Sequence, residues 1–160
     1  MIKGINHSLN GKQKRLQTLI GSIRSKLAEL GDVSRERRLL IQKIDNVNIE
    51  QTTLSQSSNI QSEHEEMLRT VIEEATDPSI LGIVKDIKAC LSDVNWKQDK
   101  SEFYPTGSEV GKRYTESNLH AQLIGPDGSV AKSEDFMLGV FVLGPSVSYT
   151  HLTLPTTDRV

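Results

Sequence analysis

The sequence predicts an α+β protein, helical at its amino side and carrying the first strands of an antiparallel β-domain at its carboxyl side. Three observations predict it. Apolar residues recur at steps of three and four through the first third of the chain, the helical period. Leu119, Ala121 and Leu123 alternate with His120 and Gln122, the period of a half-buried strand. Phe136 to Leu143 then runs without a charge between Asp135 and Gly144-Pro145, as a strand covered on both faces would.

Leu16, Ile20, Ile23, Leu27 and Leu30 form a seam that predicts a helix over residues 10–30. Gly31-Asp32 reads as its stop, and Ser34 as the N-cap of a second helix carrying Leu40, Ile44, Val47 and Leu54. The two pair as a hairpin about Gly31 or form one interrupted coiled coil; the loop chemistry favours the hairpin. Residues 52–62 are rich in Ser, Thr, Gln and Asn and read as a linker or a frayed helix end. A third helix starts at Ser62, whose spacing to Glu65 resembles a capping box, carries Met67, Leu68, Val71 and Ile72, and ends at Asp77-Pro78. A fourth begins at Pro78 and is expected to bury Ile80, Leu81, Ile83, Val84, Ile87 and Leu91, with Val94 and Trp96 after them. These short amphipathic helices are expected to lie on the sheet. Residues 99–111 form a polar connection with a turn at Tyr104-Pro105-Thr106-Gly107, and Gly125-Pro126-Asp127-Gly128 is a second turn. The predicted units are therefore 1–60, a helical hairpin or coiled coil; 61–98, helices packing on the β-domain; 99–146, the β-domain; and 147–160, a tail.

Composition narrows the function. Of 160 residues, 36% are apolar and only 4% aromatic, thin for a self-sufficient core and suited to helices plus part of a β-domain. A net charge of -2 gives no overall signal for nucleic acid or membrane. Lysines and arginines do crowd the first quarter, where they read as a solvated helix face. Cys90 is the single cysteine, so no internal disulfide or cysteine metal cluster is available, and its apolar helical setting suggests a buried, inert thiol. The amino terminus carries no export signal and no window is long and apolar enough to span a bilayer, so a cytoplasmic protein is expected.

No complete active site is visible in the residues themselves. His7, His64 and His120 are isolated, without metal-ligand spacing. His120 is directed away from Leu119 and Leu123, towards the face where small barrels hold their sites. Glu65-Glu66 and Glu73-Glu74 read as helix surface, Tyr104 and Tyr114 as turn and packing residues. Gly125 to Gly128 lacks the Lys-Ser/Thr of a phosphate loop. Val147 to Thr157 reads VSYTHLTLPTT, the one-frame translation of a transposon-end adapter used to prepare sequencing libraries. Residues 147–160, His151 included, are therefore read as foreign.

Gly111-Lys112-Arg113-Tyr114, the run Leu123 to Gly128, and the run Asp135 to Pro145 resemble the entry to the cupin-type dimethylsulfoniopropionate lyases. Asp77-Pro78 followed by an apolar helix ending in Val94-Asn95-Trp96 resembles that family's helical lead-in, so the likeness covers residues 77–145. It implies a small antiparallel β-barrel preceded by helices and holding a divalent transition metal. It also implies a β-elimination of a small zwitterionic substrate, giving dimethyl sulfide and acrylate, in which the metal binds the carboxylate and a base removes the α-proton. In that family a histidine-rich motif and a glutamate follow the strand ending here at Leu143-Gly144-Pro145. This sequence continues with the adapter-like tail instead, so no family ligand is carried onto any residue. The expectation is an amino-terminal part of such a lyase, itself inactive and binding no metal. The competing expectation is a coiled-coil interaction module, associating with itself through the helices of residues 1–60.

Overall fold

The computed structural model describes residues 11–30, 34–47, 62–99, 112–128 and 130–144. The first helix, α1 (Gly11–Glu29), buries Leu16, Leu19 and Ile20 and half-buries Ile23 and Leu27. That stripe is broader than the expected seam, because Leu19 joins it, while Leu30 lies past the helix end and is exposed. A helix packed on two partners needs a wider apolar face than a coiled-coil strand, and α1 has two.

On one flank lies α2 (Arg35–Asp45), tied to α1 by the forked Arg24–Asp45 pair, both bonds 2.9 Å. Ser34 is its N-cap, the hydroxyl accepting from the Arg37 N–H at 3.2 Å. The helix stops at Asp45, leaving Val47 outside it, so the expected run onward is shorter than the apolar spacing suggested; Leu54 lies outside the described residues. On the other flank lies α4 (Leu81–Ala89), held by Ser22 Oγ to Asp86 at 2.6 Å and, just beyond the helix, by the Arg15 fork on Asp93 at 2.7 and 3.0 Å.

Between them in sequence is α3 (Ser62–Glu74), which buries Leu68 and half-buries Met67 and Val71. It ends three residues ahead of Asp77. The Glu65 carboxylate accepts from Arg69 at 2.6 Å, while the Ser62 side chain of the expected capping box lies outside what is described. The start of α4 also differs. Asp77 makes a turn, accepting from Ser79 N–H at 2.8 Å through Oδ1 and from Ile80 N–H at 3.1 Å through its carbonyl. Ile80 and Leu81, expected in the core, are 40% and 44% exposed. The turn takes them off the face where Ile83, Ile87 and Leu91 pack.

The sheet is built around β2 (Asn118–Gly125). Antiparallel to it run β1 (Trp96–Lys97), with Trp96 opposite Ala121, and β4 (Leu138–Leu143), with His120 opposite Phe141. A parallel pairing of Ile124 with Ala131 adds β3 (Ala131–Lys132). The short α5 (Lys112–Glu116) leads into β2. A register shift between Gln122 and Ile124 marks a bulge, after which Gly125 turns the chain at φ +149°; a Cβ there would lie 2.7 Å from the Gln122 side chain. Among the described residues the sheet is open rather than closed into a barrel.

One sheet face packs on the helices. Leu119, Ala121, Leu123, Ile124 and Val142 join Leu16, Ile20, Leu68, Cys90, Val94 and Trp96 in a single core. The other face lies outside that core, and this corrects the reading of Phe136 to Leu143. The strand starts at Leu138 and is covered on one side only, since Val142 is buried while Phe141 is 48% exposed. Its side chains are nearly all apolar, so the period-two signal was hidden. Replacing Leu123, fully buried, by Ala is expected to cost about 2–5 kcal/mol in urea unfolding, against less than about 0.5 kcal/mol for Met137→Ser at an exposed position.

Candidate functional site

Strand register sorts the sheet into two sets of cross-strand rows. The row Trp96, Ala121, Val140 points at the helices. The adjacent row Lys97, His120, Phe141 points the other way, because directly paired residues in antiparallel strands share a face. This face, opposite the core, is where polar and aromatic groups collect.

Its centre is His120. The imidazole stacks on the Phe141 ring at 6.2 Å between centroids and 16° between planes. Tyr114, delivered by α5, stacks on Phe141 at 6.3 Å and 21°. The three rings therefore form one run across the face, with Phe141 shared. His120 Nδ1 is buried and has no hydrogen-bond partner among the described residues.

A buried polar clasp fixes Tyr114. Asn118, fully buried, accepts from Asp99 N–H at 2.8 Å and donates to the carbonyls of Asp99 at 2.9 Å and Tyr114 at 2.6 Å. The Tyr114 hydroxyl then donates to the Asp99 carboxylate at 2.8 Å. The row's opposite end is Lys97, whose ammonium lies 3.6 Å from Asp127 on the Gly125 to Gly128 turn. That turn is held by Gln122, which accepts from Asp127 N–H at 2.6 Å and donates to the Met137 sulfur at 3.0 Å.

The residues singled out in the sequence separate clearly. His120 and Tyr114 come together, joined by a residue that nothing in the sequence marked, Phe141. Lys97, Asp99 and Asn118 were also missed, and only strand register reveals them. His64, Glu65, Glu66, Glu73 and Glu74 sit on α3. His7, Tyr104 and His151 lie outside the described residues, as do residues 145–160.

The fit to a divalent metal was tested on this donor set. His120 offers an orphaned nitrogen, but its row neighbours are an ammonium and a phenyl ring, and Asp99 is engaged by Tyr114. Among the described residues no three His, Cys, Asp or Glu side chains converge. These residues do not fit a metal centre. Two other grooves carry no catalytic grouping: one of about 400 Å³ between α1 and the start of α4, and one of about 370 Å³ between the end of α2 and Phe136.

Cys90 lies in the core at 1% exposure, and burial pushes its thiol up to about 11, the Asp93 charge adding to the effect. It should resist a disulfide reagent at pH 8 in the native protein and react once urea unfolds the chain. The unfolded thiol ionises near its ordinary 9.0 and the native one near 11. Its contribution to stability is thus complete below pH 9 and lost as pH rises towards 11, which urea melts across that range would record.

The family of dimethylsulfoniopropionate lyases matches residues 33–155. Among solved structures, a chain titled "Crystal structures of DMSP lyases RdDddP and RnDddQII" is similar at a TM-score of 0.56 and 16% identity, over 84% of this chain. This chain spans 60% of that chain's length. No curated protein matches. At that identity the structural likeness concerns the fold. The family match covers α2 through β4 and runs on to residue 155.

Proposed function

We propose, from the premise that this chain belongs to the dimethylsulfoniopropionate lyase family, that it forms the helix-backed wall of a lyase for dimethylsulfoniopropionate or a closely related sulfonium carboxylate. One observation carries the reading: the shared core covers one face of the sheet, and the Lys97, His120, Phe141 row lies on the other, where Tyr114 of α5 joins it. A small-barrel enzyme holds its substrate on the face its helices do not cover.

The reaction class is β-elimination. A base takes the proton next to the carboxylate, the electron pair forms the carbon–carbon double bond, and dimethyl sulfide departs with the pair of the carbon–sulfur bond. Sulfonium is already a good leaving group, so the protein's work is orientation and stabilisation of carbanion charge. The described residues supply orientation. Tyr114 is fixed by the clasp, His120 by its stack, and Lys97 carries the positive charge on this row. They do not supply a metal-holding set, and no step is routed through a metal here.

The alternative of a self-associating coiled coil has less surface to work with. Leu16, Leu19 and Ile20 of α1 are buried inside the chain's own core.

The reading predicts that the purified chain, given millimolar dimethylsulfoniopropionate and added manganese, iron or zinc, releases no dimethyl sulfide above the buffer control in headspace gas chromatography. Elemental analysis should find well under one metal ion per chain. Metal-stimulated release would show that residues outside the described set complete the site, and would overturn the proposed inactivity.

A further inference from the structure

We infer that the row Lys97, His120, Phe141, together with Tyr114, is a subsite for onium carboxylates, the rings taking the cation and Lys97 the carboxylate. The inference rests on the proposed substrate class and names the groups that would recognise it.

The argument begins with what a sulfonium offers. It carries positive charge but no N–H or O–H, so carboxylates and carbonyls cannot hydrogen-bond to it, whereas the negative face of an aromatic ring attracts it directly. The face opposite the core presents such rings, and one of them is unusually open to solvent for a phenyl ring. Phe141 is 48% exposed and is the shared member of two ring stacks, one with His120 and one with Tyr114. Tyr114 is anchored by its hydroxyl, which donates to an almost fully buried carboxylate. Rings fixed in this way bind with little ordering cost.

The second charge of the ligand has a matching group on the same row. Lys97 and Phe141 flank His120 on either side, so their backbones lie about 10 Å apart at ordinary strand spacing. A flexible lysine side chain reaching back over His120 covers that span in part, leaving room for a cation and a carboxylate two methylenes apart. The present partner of Lys97 is Asp127, at 3.6 Å, with side chains 49% and 75% exposed. A pair so open to solvent is weak, and an incoming carboxylate can replace it. The imidazole between the two ends has no hydrogen-bond partner among the described residues at Nδ1 and stacks on Phe141, giving the middle of the subsite a flat floor.

The test is a titration of the full chain followed by NMR of the Tyr114, Phe141 and His120 ring signals, with four probes. They are dimethylsulfoniopropionate, glycine betaine, trimethylsulfonium, and 4-methylpentanoate, the neutral-tailed isostere of the first. Dimethylsulfoniopropionate should shift all three rings and bind about 5- to 30-fold more tightly than 4-methylpentanoate, the range a partly desolvated cation–π contact gives. Phe141→Leu should weaken dimethylsulfoniopropionate by a similar factor. Because position 141 is half exposed, the variant should keep the native spectrum elsewhere. Lys97→Met should weaken dimethylsulfoniopropionate and leave trimethylsulfonium, which has no carboxylate, unchanged.

Equal binding of the isostere, or binding indifferent to Phe141→Leu, overturns the subsite. Binding of dimethylsulfoniopropionate that leaves these rings unshifted overturns it too, while the proposed substrate survives. Conversely, Phe141-dependent binding of glycine betaine and trimethylsulfonium without any of dimethylsulfoniopropionate supports an onium subsite and removes the lyase reading.

Discussion

Every strand of this sheet is paired through β2. Eight residues, Asn118–Gly125, carry β1 on one stretch, β4 along nearly their whole length and β3 at their end. Side chains alternate along a strand with period two, so β2 has a single register that sends Leu119, Ala121 and Leu123 into the core. A slip by one residue would expose all three and bury His120 and Gln122 without partners. The register that satisfies the core is therefore also what places His120 between Lys97 and Phe141. Stability and site geometry are set by one pairing.

The helices hold that arrangement from behind. α1 lies at their centre, with α2 on one flank and α4 on the other, and its charged and hydroxyl contacts are aimed: Arg24 at Asp45, Ser22 at Asp86, Arg15 at Asp93. The last of these fixes the turn that leads into Trp96, whose indole N–H donates to the Leu91 carbonyl at 3.0 Å. Trp96 in turn opens β1. A physical line thus runs from the amino-terminal helix through Asp93 to Lys97 at the end of the outer row. The amino-terminal helices and the sheet share one core instead of forming separate bodies, which is why α1 has so little apolar surface left for a partner.

Much of this was legible in the residues. The α1 and α2 seams, the Ser34 cap, the β2 alternation and the turn at Gly125 to Gly128 are all local signals, and local signals survive folding. The errors share a cause. Phe136 to Leu143 is so uniformly apolar that no pattern distinguishes a strand covered twice from one covered once. Asp77 could start a helix or a turn, and its carboxylate chose the Ser79 N–H of the turn. At the candidate site, His120 and Tyr114 could be named singly, but Phe141 and Lys97 could not, because their nearness depends on which residue of one strand faces which residue of another. Register is a property of the assembled sheet and leaves no mark at either position.

The clasp at Asn118 has a consequence for how such a protein can change over time. Asn118 takes both backbone groups of Asp99 and also the Tyr114 carbonyl, so the chain leaves β1 and returns through α5 at points anchored to each other by one side chain. Closing a longer excursion between fixed ends adds only about 0.6 kcal/mol per doubling of its length. Descendants can therefore lengthen or shorten the stretch leaving Asp99 at small cost while Tyr114 stays against Phe141.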